Sequence, residues 1–410
     1  MLSFKLAIRN LCRNRLRTLI TFLGISLSLA LVQVYHNFTT GVYSYMVECG
    51  VRSGTGHIAV MRKGYLEQRA PGLVFEPGDL TARIAALPGV KTVIPRLHMT
   101  GLAQTGWGSR RISLVGTDIG VEAASNPFLK DIPTEVFADG WKERSALVGE
   151  RLVKELKIGI GRPLIVTVQS QNGEMVSERF KVRGIIRSGI RDVDQSLVMV
   201  SRAAATGMSG TPGQVNELSL VLDEADSQGT VMPLVDDTLA QHPELTAAAW
   251  ETTMPNLYSA IRWDYAGGIV LSTILLLIVT FGVTNTLLMS VMERLKEFGM
   301  IRGLGASGSL IRRMILAEAL VLGAAAALAG SALASLATWY LTIYGFDLRY
   351  FIPANLEFGG VIFSALLYAR WDVPWMARVS VFMVVLCLIA SLYPAFKASR
   401  VTPVAALRHN

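Results

Sequence analysis

Cysteine is scarce in this sequence. The 410 residues hold three, Cys12, Cys49 and Cys387, scattered along the chain. Cys12 and Cys387 fall in or beside apolar runs, which leaves Cys49 without a thiol to meet. No intramolecular disulfide and no cysteine-based metal site are expected. Gly-Lys-Ser/Thr occurs nowhere. That excludes a P-loop, so this chain is not expected to hydrolyse ATP. The histidines, His36, His57, His98, His242 and His409, show no His-x-x-x-His spacing. No Ser/His/Asp or paired-carboxylate grouping can be argued from spacing either. Neither a catalytic site nor a bound metal is expected.

Apolar residues are abundant. They make up 51% of the chain, and the mean hydropathy is +0.42. That is too apolar for an ordinary soluble enzyme and too polar for a bundle lying wholly in a membrane. A few spanning helices plus a sizeable soluble domain fit better. The net charge of +8 would suit nucleic acid, but the cations crowd beside the apolar runs, where membrane topology accounts for them. No nucleic-acid partner is expected.

Residues Ala266 to Met292 carry no charge. As a helix this run of about 27 residues is roughly 40 Å long, enough to cross a bilayer with some tilt. The next stretch, residues 293–313, mixes Arg and Lys with Glu and cannot sit in lipid, where each charge costs about 2.5–3.5 kcal/mol at a helix centre. A second apolar run starts near Met314. The pattern is a span, a short charged helix on one face, and a return span.

Residues 1–17 are basic and helical in period, and they read as an interfacial elbow helix. A signal peptide is the rival reading. The run from Leu19 is long and no small-x-small cleavage site follows it, which favours the elbow. Residues 18–49 are the first span and an outer stalk, 50–256 an α+β domain, and 257–292 a second stalk and span. Residues 293–313 form the charged helix, 314–344 the third span and 345–375 a loop. The fourth span covers 376–394, ended by Pro394, and 395–410 is a tail. Within the loop, Phe358 to Tyr368 is too short to span and reads as a β or interfacial segment. Gly323 to Ala337 is rich in Ala and Gly, which permits close helix packing.

Two apolar stripes continue past the bilayer edge: Tyr35, Phe38, Val42 and Met46 on the first stalk, and Tyr258, Ile261, Tyr265 and Ile269 on the second. They either pack on each other or on the soluble domain, or line a cavity for an acyl chain.

In the α+β domain, Gly56 to Met61 reads as a strand, Asp79 to Leu87 as a helix and Val90 to Leu97 as a strand. Leu102 to Gln104 and Arg111 to Val115 suggest a hairpin. Leu164 to Val168 and Arg179 to Ile186 flank Asn172-Gly173, a hairpin signal. Leu218 to Leu222, Ser227 to Ala240 and Thr246 to Trp250 close the domain as strand, helix and strand. A β-rich insert, about 145–210, lies between the opening and closing units.

Lys5, Arg9, Arg13, Arg15, Arg17, Arg294, Lys296, Arg302, Arg312, Arg313, Lys397, Arg400 and Arg408 lie in the terminal segments and the charged insert. The 345–375 loop holds only Arg349 and Arg370, with Arg378 just inside the last span. The positive-inside rule puts both termini and the insert in the cytoplasm and the α+β domain outside. The fold class is therefore an α-helical membrane protein with four transmembrane helices. Its large extracytoplasmic α+β domain is inserted between helices 1 and 2.

Gly303-Leu-Gly305-Ala-Ser-Gly308 matches the dinucleotide pattern, but a charged helix precedes it where a strand is needed, so the glycines read as a tight turn. Glu318 is the one carboxylate inside a span. It is a functional candidate by type, yet it lies near the membrane edge, where snorkelling or pairing with Arg312 or Arg313 is the cheaper reading.

Asn285, Glu293-Arg294, Glu297, Gly299, Arg302, Gly305-Ala306, Ile311 and Glu318 resemble the signature of one superfamily of ABC-transporter permeases. It holds the lipoprotein-releasing, macrolide-efflux and cell-division permeases. The resemblance implies that the charged insert is a coupling helix riding on a separate cytoplasmic ATPase. Glu293, Arg294, Glu297, Gly299, Arg302, Gly305 and Ala306 would form its docking surface, with Pro403 and Leu407 of the tail nearby. Charge reversal at Arg302 or Glu297 is expected to release that ATPase. It also implies two ATPase copies carrying ATP and magnesium, no cofactor in this chain, and a second permease copy or a paralogous permease. Nucleotide binding would clamp the ATPases and drive the stalks and outer domains together by mechanical transmission.

Gly149-Glu-Arg-Leu152, Leu156 and Ile160-Gly161 look like the usual opening of the outer domain's insert. In the superfamily the two chain-distant halves make one lobe of that domain and the insert a second. Among branches the lipoprotein-releasing one is the most similar, through Gly54-Thr-Gly-His57-Ile58 and Lys63-Gly64-Tyr65. Lipoprotein or lipid cargo in a bacterial inner membrane is what this implies, with a periplasmic chaperone or adaptor as receiver. The hairpin from Val166 to Val182 lacks the proline-bearing extension of the chaperone-docking member. The alternatives are an efflux permease with an adaptor and outer-membrane duct, and a signalling permease that activates a periplasmic partner.

Overall fold

The structure, a computed structural model, describes residues 15–129, 132, 133, 135–138, 141, 144–188, 191–224, 227–347, 357, 358, 361, 362 and 366–400. In chain order, α1 (Arg15–Ser53) comes first. β1 (Ile58–Arg62), α2 (Leu80–Ala85), β2 (Val90–Thr105) and β3 (Gly108–Thr117) follow. Next come β4 (Ser145–Gly149), α3 (Glu150–Glu155), β5 (Pro163–Gln169), β6 (Met175–Ile186), β7 (Leu197–Ser201) and α4 (Arg202–Ser209). β8 (Glu217–Leu222), α5 (Gln228–Leu239) and β9 (Leu245–Ala249) complete the strand-bearing part, and α6 (Pro255–Glu293), α7 (Leu295–Gly303), α8 (Gly308–Ile343) and α9 (Val373–Ser399) close the chain. The chain divides into a helical unit and a strand-bearing unit.

In the helical unit α1, α6, α8 and α9 are each long and apolar enough to cross a membrane. Their common core gathers Ile25 and Leu29, Val283 and Leu287, Ala319, Leu322 and Ala326, and Met383 and Cys387. Small residues let α8 approach its neighbours. A Cβ at Gly330 would stand 2.6 Å from the Ser26 carbonyl of α1, so only glycine permits that crossing. Polar side chains add ties. Gln33 Nε2 donates to the Met376 carbonyl at 3.1 Å and to Ser380 at 2.9 Å, and Asn37 Nδ2 donates to Thr338 at 3.1 Å. Inside apolar surroundings such bonds fix helix rotation, because the alternative is an unpaired amide.

Two helix limits differ from the sequence reading. α8 starts at Gly308, not Met314, so Arg312 and Arg313 lie within it. α9 runs through Pro394 to Ser399. A proline inside a helix removes one hydrogen bond and costs about 3 kcal/mol. Here Pro394, Ala395 and Ala398 are buried, and Ala395 and Ala398 pack with Ile311, Ile315 and Phe298, which carries the helix past the proline. Of the segment from Phe358 to Tyr368, the described part includes the two-residue strands Val361–Ile362 and Leu366–Leu367, each in an antiparallel pair.

In the strand-bearing unit the strands run in the order β3-β7-β4-β6-β5-β2-β8-β1-β9, and β3 also pairs with β2. That extra pairing closes β2, β3, β7, β4, β6 and β5 into a ring. β2 is the shared strand. Its first half, Val90 to Arg96, lies beside β8, and its second half pairs with β3 and β5. The expected strand Val90–Leu97 and the expected hairpin arm Leu102–Gln104 are therefore one strand of 16 residues. Pro95 and Gly101 lie inside it without breaking it, and Arg96 to Thr105 is paired with β3 throughout.

The two largest apolar cores among the described residues lie one in each part of this sheet. Leu97, Leu114, Val148, Val166, Phe180 and Val200 are among those filling the ring, and Ile58, Ile84, Val93, Leu220, Val235 and Leu245 belong to the other core. The chain-distant ends make one lobe and the middle makes the other, joined by β2. The hairpin of β5 and β6 turns through Asn172-Gly173, with Gly173 at φ +84°, and its strands pair Val168 with Val176. At the crossing point Arg96 is buried and donates to both oxygens of buried Glu122, at 2.7 and 3.1 Å, and to Ser219 at 2.9 Å. Ser219 donates in turn to Glu217 at 2.6 Å. A buried pair of this kind is tolerable only when its remaining lone pairs are met, as Thr117 and Asn126 do for Glu122.

Candidate functional site

The charged stretch after α6 becomes helix α7. Phe298 and Gly299 are its buried face, with Phe298 set among Val291, Ile311, Ile315, Ala395 and Ala398. Arginines then tie this end to every other span. Arg17 of α1 makes a two-bond contact with Glu293 at the end of α6, one of 2.8 Å. Arg294 donates to Glu318 of α8 at 3.2 Å and to Glu297 at 3.3 Å, and its guanidinium stands 5.1 Å from the Phe298 ring centre. Arg302 donates to the Ser399 carbonyl at the end of α9, at 3.0 Å. Arg312 lies over the ring of Phe396.

The sequence reading expected Glu318 to pair with Arg312 or Arg313. The structure pairs it with Arg294 instead. On α8 Arg312 turns to Phe396 and Arg313 is exposed, while the break after Glu293 brings Arg294 across to α8. Of the residues expected to face a partner, Glu297 accepts from Arg294 within its own segment, and Arg302 donates to Ser399 of α9. Gly299 is buried. Gly305 takes φ +95° in the turn before α8, and Ala306 is half-buried with its N–H on the Ile301 carbonyl at 3.2 Å. Pro403 and Leu407 lie outside the described residues. The outward side chains, Lys296, Met300 and Leu304, were not singled out in sequence. Their spacing of four was legible, but nothing marked which side of so short a helix packs.

At the other end of the helical unit, α1, α6 and α9 border a half-open cavity of about 160 Å³. Tyr35, His36, Thr39 and Tyr43 of α1 face Tyr265, Gly268, Ile269, Ser272, Thr273 and Leu276 of α6, with Trp375 closing it from α9. Tyr35, Tyr265 and Ile269 are thus brought together as expected cavity residues. The others are not. Phe38 packs edge-on against Phe346, Val42 is half-buried away from the lining and Met46 is fully buried. Tyr258 stands against Trp250, and Ile261 is half-buried. The apolar stripe on α1 marks a packing surface. The cavity lies beside it, on the face of Tyr35, Thr39 and Tyr43 at spacing four.

This wall is rich in hydroxyls as well as rings. His36 stacks on Trp375, with centroids 3.6 Å apart and planes 6° apart, and its Nε2 lies 3.1 Å from Asp372. Tyr43 donates its hydroxyl to Asp264. Gly268 faces the Tyr35 ring, where a Cβ would come within 3.0 Å. A small polar group attached to an apolar tail suits such a lining better than a bare hydrocarbon chain. Among the described residues no three His, Cys, Asp or Glu side chains gather into a metal-binding group.

Two family descriptions match the chain. "MacB-like periplasmic core domain" covers residues 18–237, more than half of it, and "FtsX-like permease C-terminal" covers residues 269–403. The lipoprotein-releasing system transmembrane protein LolE of Haemophilus influenzae is 24% identical over 337 residues, 79% of each chain. The pyoverdine export ATP-binding/permease protein PvdT of Pseudomonas aeruginosa is 25% identical over 419 residues, which are 96% of this chain and 56% of that one. Among solved structures, the periplasmic region of MacB from Actinobacillus actinomycetemcomitans aligns over 50% of this chain and 93% of its own, at 12% identity and a TM-score of 0.34.

Proposed function

The chain belongs to the ABC-transporter permease family marked by the MacB-like periplasmic core domain and the FtsX-like C-terminal domain, and from that premise we propose that it extracts lipoproteins or lipid-like amphiphiles from the outer leaflet of a bacterial inner membrane. It does so as the membrane subunit of a system whose ATP-binding subunits are separate chains. The sequence has no Gly-Lys-Ser/Thr, so ATP and magnesium belong to a pair of those subunits. A second permease, identical or paralogous, completes the complex. The termini and α7 lie in the cytoplasm and the strand-bearing unit in the periplasm, as the distribution of Lys and Arg favours.

The observation that supports this reading is the fixing of α7 and the end of α6 to the other spans. Arg294–Glu318 and Arg302–Ser399 connect the short helix to α8 and α9, α6 runs directly into it, and Arg17–Glu293 ties α1 to the end of α6. A push on α7 is therefore delivered to the whole bundle. α6 continues unbroken for 39 residues, about 58 Å at 1.5 Å per residue, and so serves as a lever. The cargo class rests on the mixed lining of the cavity and on the likeness to LolE. Export with a periplasmic adaptor is the second reading, favoured by the match to PvdT along nearly the whole chain.

Native mass spectrometry of the tagged complex, extracted gently from its own membrane, tests both readings. An ATP-binding pair with a bound acylated protein or lipid is the expected result. An ATP-binding pair with an adaptor and no acylated ligand transfers the assignment to export. A permease without any ATP-binding chain overturns both.

A further inference from the structure

Strands β3 and β7 are parallel neighbours and end together, with Thr117 opposite Ser201. Each is followed at once by a helix. Asp118 caps the helix Ile119–Ser125 by accepting the Gly120 N–H at 3.1 Å, and Ser201 caps α4 by accepting the Ala204 N–H at 3.2 Å. The two helices leave to opposite faces of the sheet. Leu114, Val198 and Val200 pack with Ala205 and Met208 of α4, while Val115, Leu197 and Met199 pack with Ile119. Successive strand residues point to opposite faces, so these two sets lie on the two sides of the same strands. Where neighbouring parallel strands send their helices to opposite faces, a crevice opens beyond their carboxyl ends, and α/β sheets bind ligands there.

A half-open cavity of about 480 Å³ lies at this point, within the strand-bearing unit. Small-molecule sites span about 300–1,000 Å³. Thr117, Asp118 and Gly120 border it from one strand end, and Ser201, Arg202 and Ala203 from the other. Both borders are held in place. A Cβ at Gly116 would collide with that of Ala205, so α4 lies directly against β3. On the other side Glu122 of the helix Ile119–Ser125 is bound by Arg96. Asp118 and Arg202 are the charged residues of the lining. Arg202 is half-buried and has neither a hydrogen bond nor an ion pair among the described residues. Phe137 and Trp141 add ring surface. The indole nitrogen of Trp141 is buried without a hydrogen-bond partner among the described residues, an arrangement that is unfavourable until an acceptor is brought to it.

We propose that this crevice binds a small zwitterion with an apolar body, an α-amino acid or a dipeptide. The Arg202 guanidinium, the first amides of α4 and the Trp141 N–H are donors for its carboxylate. The first N–H groups of a helix have no partner within the helix and favour negative charge. Asp118, on the other strand end, takes the ammonium group, and Ile119, Phe137 and Trp141 cover the side chain. A plain anion would leave Asp118 unpaired and a plain cation would leave Arg202 unpaired, so the two charges together select a ligand that carries both. The site belongs to the strand-bearing unit alone and does not depend on the cargo reading.

The test uses the full-length chain purified in detergent. Calorimetric titration with L-phenylalanine and with L-leucine should give saturable binding. 3-Phenylpropionate and phenethylamine are L-phenylalanine without its ammonium and without its carboxylate, and each should bind at least tenfold more weakly. Arg202→Gln and Asp118→Asn should each weaken L-phenylalanine by at least tenfold. Asparagine still caps the helix, and Arg202 holds no other group, so without ligand both variants should melt as the wild type does. Trp141→Phe keeps a ring and loses the N–H, and it should weaken binding several-fold. The absence of saturable binding by either amino acid overturns the proposal. So does equal affinity for 3-phenylpropionate or phenethylamine, which would make the site a plain ion site. Undiminished binding in Arg202→Gln and Asp118→Asn would place the ligand elsewhere and overturn it too.

Discussion

Arg294, the first residue past α6, donates to Glu318 of α8 at 3.2 Å with both side chains largely buried. It bridges two spans at the point where the chain leaves one and returns as the other. Its second contact, to Glu297, fixes the first turn of α7 to the same guanidinium. The Glu318→Gln substitution leaves Arg294 with one carboxylate. ATP-driven transport should fall several-fold while the complex still assembles. A double-mutant cycle with Arg294→Gln should give a coupling energy of about 1–3 kcal/mol. Unchanged transport in Glu318→Gln would remove the pair from the transmission path.

The Arg17–Glu293 contact is more open, with 26% and 42% of the two side chains exposed. Solvent screens such a pair, so it is worth under about 1 kcal/mol. Arg17→Gln should hardly change the melting temperature in detergent, and any effect should shrink as salt rises. A loss as large as that from Glu318→Gln would show that the exposed pair is structural.

Gly268 keeps the cavity open beside Tyr35. Gly268→Leu should fill it. A glycine inside a helix costs about 1 kcal/mol relative to a good helix former, which offsets part of the cost of pressing a side chain against the Tyr35 ring, so the thermal midpoint should change little. Amphiphile recovered with the complex, read by mass spectrometry, should drop at least fivefold. Equal recovery would place the cargo elsewhere.

Gly330 has no such freedom. Its neighbour is the backbone carbonyl of Ser26, which cannot move aside as a side chain can. Gly330→Val should cost about 1–3 kcal/mol or more through overpacking. The thermal midpoint in detergent should fall, and an unchanged midpoint would contradict the close crossing of α1 and α8.

Glu217 predicts an acid limit for the strand-bearing unit. Burial raises its carboxyl, but His98, Arg96 and Ser219 lower it further, and the balance lies below the ordinary 4.5. A carboxyl depressed by folding adds stability above its unfolded value and loses it as pH falls through its folded value. Stability of the full chain in detergent should therefore drop steeply below about pH 4.5. Glu217→Gln should flatten that part of the curve. An identical acid slope in the variant would assign it to other carboxylates.

The ring in the strand-bearing unit shows why part of the fold was hidden. The apolar, β-branched run Leu164–Val168 and the Asn172-Gly173 turn announce a hairpin, because both signals are local. Closure of the ring depends on β2 pairing with β3, β5 and β8 at once, and no single segment encodes that. The Arg96–Glu122–Ser219–Glu217 chain is invisible for the same reason, since Ser219 is 123 positions from Arg96. At the cavity, the apolar stripe on α1 fits packing and lining equally well by its sequence. Apolar ridges fill protein or lipid first, and the hydroxyl-bearing face beside them is what remains open.

The sequence by itself determined the spans, their cationic ends and the charged break after Met292, because hydropathy and charge act through solvent and need no partner to be read. Tertiary structure alone decided which way α7 faces. Phe298 found a pocket between α6, α8 and α9, and with that burial Arg302 reaches the end of α9 while Met300 and Leu304 face water. A helix of nine residues has too few positions for its own pattern to fix its rotation. The surface packed against it makes that choice.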